Sequence, residues 1–306
     1  LEGVLRLNHL IEQMALRRGV PQLVFISGVE QECLLAVREL VKGYRANGGE
    51  AEEIDFIIYS YGGHLPTAYR IIRYLREKFT RVNAIIPFLA KSSATLMALG
   101  CTQIVFGECG ELGPLDTQIG TPGQENPNYR FHSALNDESS LRLLEERSMQ
   151  TLAMAFDFVF NQENIPINKS LLFEQLLQFC SEFYDPLVRQ LNPHNLGYKS
   201  RALQQALDYA RKTLMQFQES DEWIENGLAE HIVLEYANHG FVIDYYTIRA
   251  FLSNVLRTQE LGEEYALLLD DLTDIFLEFD WEDEENEMIG LIDVPDPDAA
   301  NNSEEE

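Results

Sequence analysis

Four short apolar runs, separated by tight turns and helical patterns, fill the first third of the chain and restrict it to a layered α/β fold. Leu23-Val24-Phe25-Ile26-Ser27 stops at Gly28, and residues 31–45 then carry Cys33, Leu34, Val37, Leu40 and Val41 at helical spacing. Ile54-Asp55-Phe56-Ile57-Ile58-Tyr59 ends just before Gly62-Gly63. From Leu65 the apolar positions Leu65, Ala68, Tyr69, Ile72, Leu75 and Phe79 recur at three and four. Val82 to Phe88 reads as a third strand, Ser92 to Leu99 as a short apolar helix, and Gln103 to Phe106 as a fourth strand. Such runs suit parallel strands buried on both faces beneath connecting helices.

The pattern changes after about residue 110. Gly110 to Asn128 is rich in Gly, Pro and polar residues, a loop long enough to be functional. From Ser139 the sequence is mainly helical, with stripes over 139–159, 167–181, 200–217, 222–236 and 245–256, and one short strand expected at Val242-Ile243. The expected organisation is an N-terminal helix over 1–20, an α/β domain over 21–257 that is helix-rich from about 139, an acidic amphipathic helix over 258–279 and an acidic disordered tail over 280–306.

Charge follows this division. The chain has 306 residues, 23 Lys and Arg against 50 Asp and Glu, and a formal net charge of −27. Nineteen of the acids follow Arg257, the last basic residue, and twelve of those lie in 280–306 beside Pro295 and Pro297. The remainder, 31 acids against 23 bases, is an ordinary globular balance. Nucleic-acid phosphates and anionic membrane surfaces are poor partners for such a chain, since both require clustered cations. The most apolar stretch, Val82 to Ala90, contains Pro87 and falls well short of the roughly 20 residues of a spanning helix. The first residues lack the basic-then-apolar order of a signal peptide. Cys33, Cys101, Cys109 and Cys180 form no C-x-x-C pair. Free thiols, no metal site and a cytoplasmic location are the resulting expectations. No Walker loop or dinucleotide fingerprint is present, so no cofactor is expected.

Two strand ends carry candidate chemistry. In Ser60-Tyr61-Gly62-Gly63-His64, a glycine pair can turn the chain so that a backbone N–H points outward, as an oxyanion hole requires. In Ala90-Lys91-Ser92-Ser93-Ala94-Thr95, a strand passes directly into an apolar helix, and the first helical N–H groups have no partner within the helix. A nucleophile and an anion-stabilising donor can then come from one turn. Each half taken alone also fits a plainer role, a tight turn and a helix cap. A third segment, Gly110-Glu111-Leu112-Gly113-Pro114-Leu115-Asp116-Thr117-Gln118, stands beside them.

In this order the three segments resemble the serine dehydrogenase proteinase family of the Clp-protease/crotonase superfamily. Ser60-Tyr61-Gly62-Gly63 is similar to the superfamily's Ser-Pro-Gly-Gly turn, with Tyr61 in place of the usual Pro. Lys91 to Leu99 is similar to the nucleophile helix of its serine peptidase branches. Leu112-Gly113-Pro114-Leu115-Asp116-Thr117-Gln118 resembles the family's Leu-Gly-Pro-Ile-Asp-Pro-Gln signature, and Asn192 to Arg201 and His239 to Asp244 resemble its helical second half. The resemblance spans roughly residues 20–257. It implies a spiral of ββα units with a mainly helical C-terminal half, Ser92 as nucleophile, and the N–H groups of Gly63 and Ser93 as oxyanion donors. It also implies a homo-oligomer.

The general base is left open. Asp116 falls near the place of the His in the Clp branch, and His132 lies in the broad region of a Lys in another branch. Lys91 precedes the nucleophile, but adjacent helical side chains diverge by roughly 100°. Gly62 and His64 are candidates for touching substrate, with helix capping as the plainer role of His64. His231 and His239 lack metal-ligand spacing, and Lys199 reads as a surface residue at a helix start. Three functions follow: a serine peptidase forming an acyl-enzyme at Ser92 on polypeptide, a degenerate relative acting as an interaction module, and an acyl-CoA enzyme of crotonase type. For the tail, solubility and a basic protein partner are the two readings.

Overall fold

The computed structural model describes residues 2–115, 118–120, 131–161, 168–189, 192–236, 238–278 and 287–295. The chain divides into two units, one made of residues 1–116 with 206–306 and the other of residues 117–205.

The first unit begins with helix α1 (Glu2–Arg18), followed by β1 (Gln22–Ile26), α2 (Cys33–Ala46), β2 (Glu53–Tyr59), α3 (Leu65–Lys78), β3 (Arg81–Ile86), β4 (Leu89–Ala90), α4 (Ser93–Leu99), β5 (Gln103–Phe106) and β6 (Glu111–Leu112). The second unit contains β7 (Gln118–Gly120) paired antiparallel with β8 (Phe131–Ser133), then α5 (Ala134–Asn161), α6 (Lys169–Val188) and the start of α7 (Pro193–Phe217). Back in the first unit follow α8 (Glu222–Glu225), α9 (Leu228–Leu234), α10 (Tyr245–Arg249), β9 (Val255–Arg257), α11 (Glu263–Glu278) and β10 (Met288–Ile292).

The main sheet has the order β10-β1-β2-β3-β5-β9. Every pairing from β1 to β9 is parallel, and β10 alone runs antiparallel. All five residues of β1 are buried, as the unbroken apolar run requires. Val24, Ile26, Ile57, Tyr59, Ile85 and Val105 face α1 and α11, whose Leu7, Ile11, Met14, Leu269, Leu272 and Phe276 complete that core. Strand alternation turns Leu23, Phe25, Phe56 and Ile58 the other way. There the right-handed crossover rule places α2, α3 and α4.

Several local outcomes depart from the expected pattern. The strand expected over 82–88 breaks at Pro87, whose missing N–H cannot serve a ladder, and β4 pairs instead with β6 in a second, two-stranded sheet. The stripe over 222–236 is interrupted at Gly227, which takes the left-handed conformation (φ 67°). The helix expected over 245–256 ends at Arg249 and gives way to β9, which closes the sheet beside β5. Val242-Ile243 contributes one bridge, Ile243 to Leu112. Residues 288–292 of the expected disordered tail form a paired strand: the sheet edge at β1 offers unpaired N–H and C=O groups, and the apolar run Met288-Ile289-Gly290-Leu291-Ile292 satisfies them. Residues 280–286 and 296–306 lie outside the described residues. Among the described residues no helix is long and apolar enough to cross a membrane.

A polar row crosses the sheet near its N-terminal edge, where Gln22, Asp55, Asn83 and Gln103 stand in register on adjacent strands. Asp55 is fully buried. Its carboxylate accepts from Arg18 Nε at 3.0 Å, Gln22 Nε2 at 3.1 Å and Asn83 Nδ2 at 2.8 Å. Burial, aided by the Asp55 charge, pushes the phenol of Tyr265 well above its usual range. Removing the carboxylate takes one partner from each donor, leaving Glu53 to Arg18 and Asn83 and the Val20 carbonyl to Gln22. D55A is therefore expected to lower the unfolding free energy by about 1.5–3 kcal/mol, the usual worth of hydrogen bonds to a charged group. Urea denaturation of the purified variant measures it.

Candidate active site

The site is built where three strands end side by side. Val29, just beyond β1, bridges Gly63, and Ser60, at the end of β2, bridges Ala90 of β4. Ser60 N–H donates to Leu89 O at 3.1 Å, and Lys91 N–H donates to Ser60 O at 2.8 Å. The Ser60 hydroxyl, itself buried, accepts the Gly62 N–H at 3.1 Å. These bonds press the glycine turn against the β4–α4 junction. A Cβ on Gly62 would stand 2.6 Å from Ser92 Cβ, 2.8 Å from Lys91 O and 3.1 Å from Ser93 N. Gly62 and Gly63 have φ of 99° and 144°, which side-chain-bearing residues rarely adopt.

Ser92 has φ 52° and ψ −122°, and it is the non-glycine residue with positive φ among the described residues. Strain of this kind costs on the order of 1–3 kcal/mol and persists only where the surroundings enforce it. Ser92 stands at the N-cap position of α4, yet its hydroxyl caps no backbone N–H, so the plainer reading of this serine does not describe its geometry. The side chain is partly exposed while α4 behind it is buried throughout.

Two N–H groups beside it have no hydrogen-bond partner among the described residues. Val29 N–H donates to Gly62 O at 2.8 Å and His64 N–H to Val29 O at 2.6 Å, which leaves the Gly63 N–H between them unused. In α4 the first donor into the chain behind it is Ala94 N–H, to Lys91 O at 2.9 Å, which leaves the Ser93 N–H unused. Gly63 is exposed and Ser93 buried. A hydroxyl raised on a strained turn beside two unpaired backbone donors can attack a carbonyl carbon while the donors take the charge that develops on oxygen. The hydroxyl of Ser93 is fully buried and also lacks a partner among the described residues.

The remaining candidates are placed as follows. Lys91 is buried, its Nζ held by Glu111 at 2.5 Å, Leu112 O at 3.2 Å and Phe241 O at 3.4 Å. It lies before α4, which begins at Ser93, so the argument from adjacent helical side chains does not apply to it. Its stem packs against Gly113, where a Cβ would approach Lys91 Cδ to 2.5 Å. His64 occupies the N-cap position of α3 with its ring Nδ1 on Thr67 Oγ1 at 2.8 Å and no side-chain bond to the helix backbone. Asp116 lies outside the described residues, and His132 stands in β8 opposite Ile119. Lys199 is buried within α7, not a surface residue. His231 bonds Glu235 at 2.5 Å.

Four further residues support the site. The Thr95 hydroxyl lies 2.8 Å from Ala90 O and 2.7 Å from Gly113 O and accepts Gly113 N–H at 3.1 Å, tying the Gly113-Pro114 loop to α4. Glu111 partners Lys91, and Val29 clamps the glycine turn through both of its backbone groups. Ile243 holds the same loop from the other side, with Leu112 N–H to Ile243 O at 2.9 Å and Ile243 N–H to Leu112 O at 3.0 Å. The spacing of Thr95 from Ser92, three positions along α4, was the readable signal for the first.

The site thus sits in a mixed α/β fold, with a glycine turn and a strained serine meeting at a strand-to-helix junction beyond a mostly parallel sheet. Residues 3–130 match the model of the family described as ClpP-like SDH-type serine proteinase. The match takes in all three motif segments; Asn192 to Arg201 and His239 to Asp244 lie beyond it. Two uncharacterized proteins of Methanocaldococcus jannaschii are also similar. One is 32% identical over 102 residues, 33% of each chain. The other is 28% identical over 145 residues, 46% of this chain and 47% of its own. The chain thus spans a third to about half the length of these curated relatives. Among solved structures, two mutants of the 1510-N membrane-bound stomatin-specific protease align, one a serine-to-alanine form and one a lysine-to-alanine form in complex with a substrate peptide. Each has a TM-score of 0.30, at 13% and 14% identity, over 50% of this chain and 66% and 62% of theirs.

Substituting Gly62 adds both a steric and a backbone penalty. G62A is expected to lose about 2–4 kcal/mol of stability, from overpacking of about 1–3 kcal/mol and the cost of positive φ. Equilibrium unfolding in urea checks this, with G43A, which meets open space in mid-helix, as the control expected to lose nothing.

Proposed function

We propose that the protein is a serine peptidase-like hydrolase that cleaves polypeptide through an acyl-enzyme at Ser92. The observation that carries this reading is the strained backbone of Ser92 beside the N–H groups of Gly63 and Ser93, which have no partner among the described residues. The family match over residues 3–130 supports it. In the proposed reaction the Ser92 Oγ attacks the scissile carbonyl, and its proton passes to a general base. The Gly63 and Ser93 N–H groups hold the oxyanion. The base returns the proton to the leaving amine, and water then hydrolyses the ester. Gly62 permits the close approach of the two segments, and His64 borders the turn on the substrate side.

The assignment of the base rests with Asp116 and His132, because the Lys91 amine is already committed to Glu111 and two carbonyls. A fluorophosphonate probe is expected to label wild type and not S92A. Equal labelling of the two overturns the reading. D116N or H132Q, whichever removes the base, is expected to slow labelling by about 100-fold or more. A folded wild type that neither labels nor cleaves a peptide pool would instead favour a family member retained as a protein-interaction module.

Assembly into a homo-oligomer belongs to the same proposal. The helices α5 and α6 leave Met149, Met154, Phe158, Phe179 and Phe183 largely exposed, an apolar surface that a lone chain in water would not ordinarily keep. Sedimentation velocity is expected to give a mass several times 35.1 kDa; F179E/F183E is expected to return it to the monomer value.

A further inference from the structure

The C-terminal strand reaches the catalytic turn through one side chain. The β1–β10 ladder ends at Ile26 opposite Met288. One residue before Met288, the Glu287 carboxylate accepts the N–H of Gly28 at 3.0 Å, which extends the pairing past the last backbone partner. The carbonyl of Gly28 is held locally, by Ser27 Oγ at 2.8 Å, Glu30 N–H at 3.1 Å and Cys33 Sγ at 3.3 Å. Its N–H is held by Glu287 across 259 positions of sequence. The next residue, Val29, is the one whose N–H and C=O grip Gly62 and His64 on either side of Gly63. A continuous set of hydrogen bonds therefore runs from Glu287 through Gly28 and Val29 to the peptide that presents the Gly63 N–H.

We propose that Glu287 is a positioning residue for the Gly63 donor, and that β10 is the arm that delivers it. The inference rests on the reading of Ser92 and Gly63 as nucleophile and oxyanion donor. The physical argument is one of selective ordering. Ser27 to Glu30 lies beyond the sheet, where the backbone has no ladder to fix it, and Gly28 is the most permissive residue in that segment. A carboxylate on its N–H is a charge-assisted bond, stronger than a neutral one. Because Glu287 is exposed and Met288 and Ile292 supply the packing of β10, the carboxylate contributes aim and little fold stability.

Two measurements on the full chain test this. Amide hydrogen exchange compares residues 27–30 and 60–64 in wild type, E287A and E287Q. E287A is expected to exchange about tenfold faster in both segments, the ratio that corresponds to losing one charge-assisted bond. E287Q keeps an acceptor oxygen without the charge and is expected to fall between wild type and E287A, with Tm and β1 protection unchanged in both variants. Unchanged exchange in E287A, or equal acceleration in E287Q, overturns the proposal. In parallel, E287A is expected to slow fluorophosphonate labelling of Ser92 severalfold and E287Q to restore part of the rate. Labelling of E287A at the wild-type rate overturns the catalytic part. Should wild type not label at all, the hydrolase reading fails, while the exchange comparison still decides whether Glu287 orders the turn.

Discussion

No side chain fits between the turn after β2 and the junction that opens α4. The backbone of Gly62 lies where any Cβ would collide with Ser92 and with the carbonyl of Lys91, and this contact governs what surrounds it. It requires a glycine with positive φ on one side. On the other it leaves Ser92 in a backbone conformation that only a well-buried, well-bonded neighbourhood sustains. The parallel sheet supplies that neighbourhood. β2 and β4 end together, Ser60 and Ala90 bridge, and the buried α4 anchors the junction from behind. Thr95 and Lys91 then fasten the Leu112-Gly113-Pro114 loop across the same place. The three sequence segments are thus one hydrogen-bonded object.

How much of this could be read from residues alone differs from part to part. The strands β1, β2 and β5 and the helices α2 and α3 were legible because unbroken apolar runs and three-four periodicity reflect burial directly. The Gly62-Gly63 turn and the serine at the α4 junction were legible because a sharp outward turn needs glycine and a strand running straight into an apolar helix marks the junction. The surroundings of Lys91 were not. A cation beside a serine suggests chemistry, and only the fold shows the amine turned toward Glu111 and the carbonyls of Leu112 and Phe241. The strand β10 was masked by its acidic flanks, although Met288-Ile289-Gly290-Leu291-Ile292 is an apolar run as long as β1.

The acidity of the C-terminal segment has a structural setting. The helix α11 carries its acids on the outside and its Tyr265, Leu269, Leu272 and Phe276 in the core. Burial, with Glu108, Asp271 and Asp274 nearby, raises the carboxyl of Asp270 above its usual range, a sign of like charges crowded on that face. The next described residues belong to β10, so the acidic sequence is bracketed by two elements packed on the sheet.

The sequence by itself determined the α/β class, the glycine turn, the serine at the start of α4 and the division of charge, because each depends on local rules: burial period, backbone permissiveness and side-chain chemistry. The tertiary structure alone decided that Ser92 is strained and uncapped, that the N–H groups of Gly63 and Ser93 have no partner among the described residues, that the buried Lys91 amine meets Glu111, and that Glu287 reaches Gly28. These depend on which distant backbones meet. A five-residue strand or a single carboxylate pairs with whatever edge or N–H the completed sheet leaves open, and no local pattern records that choice.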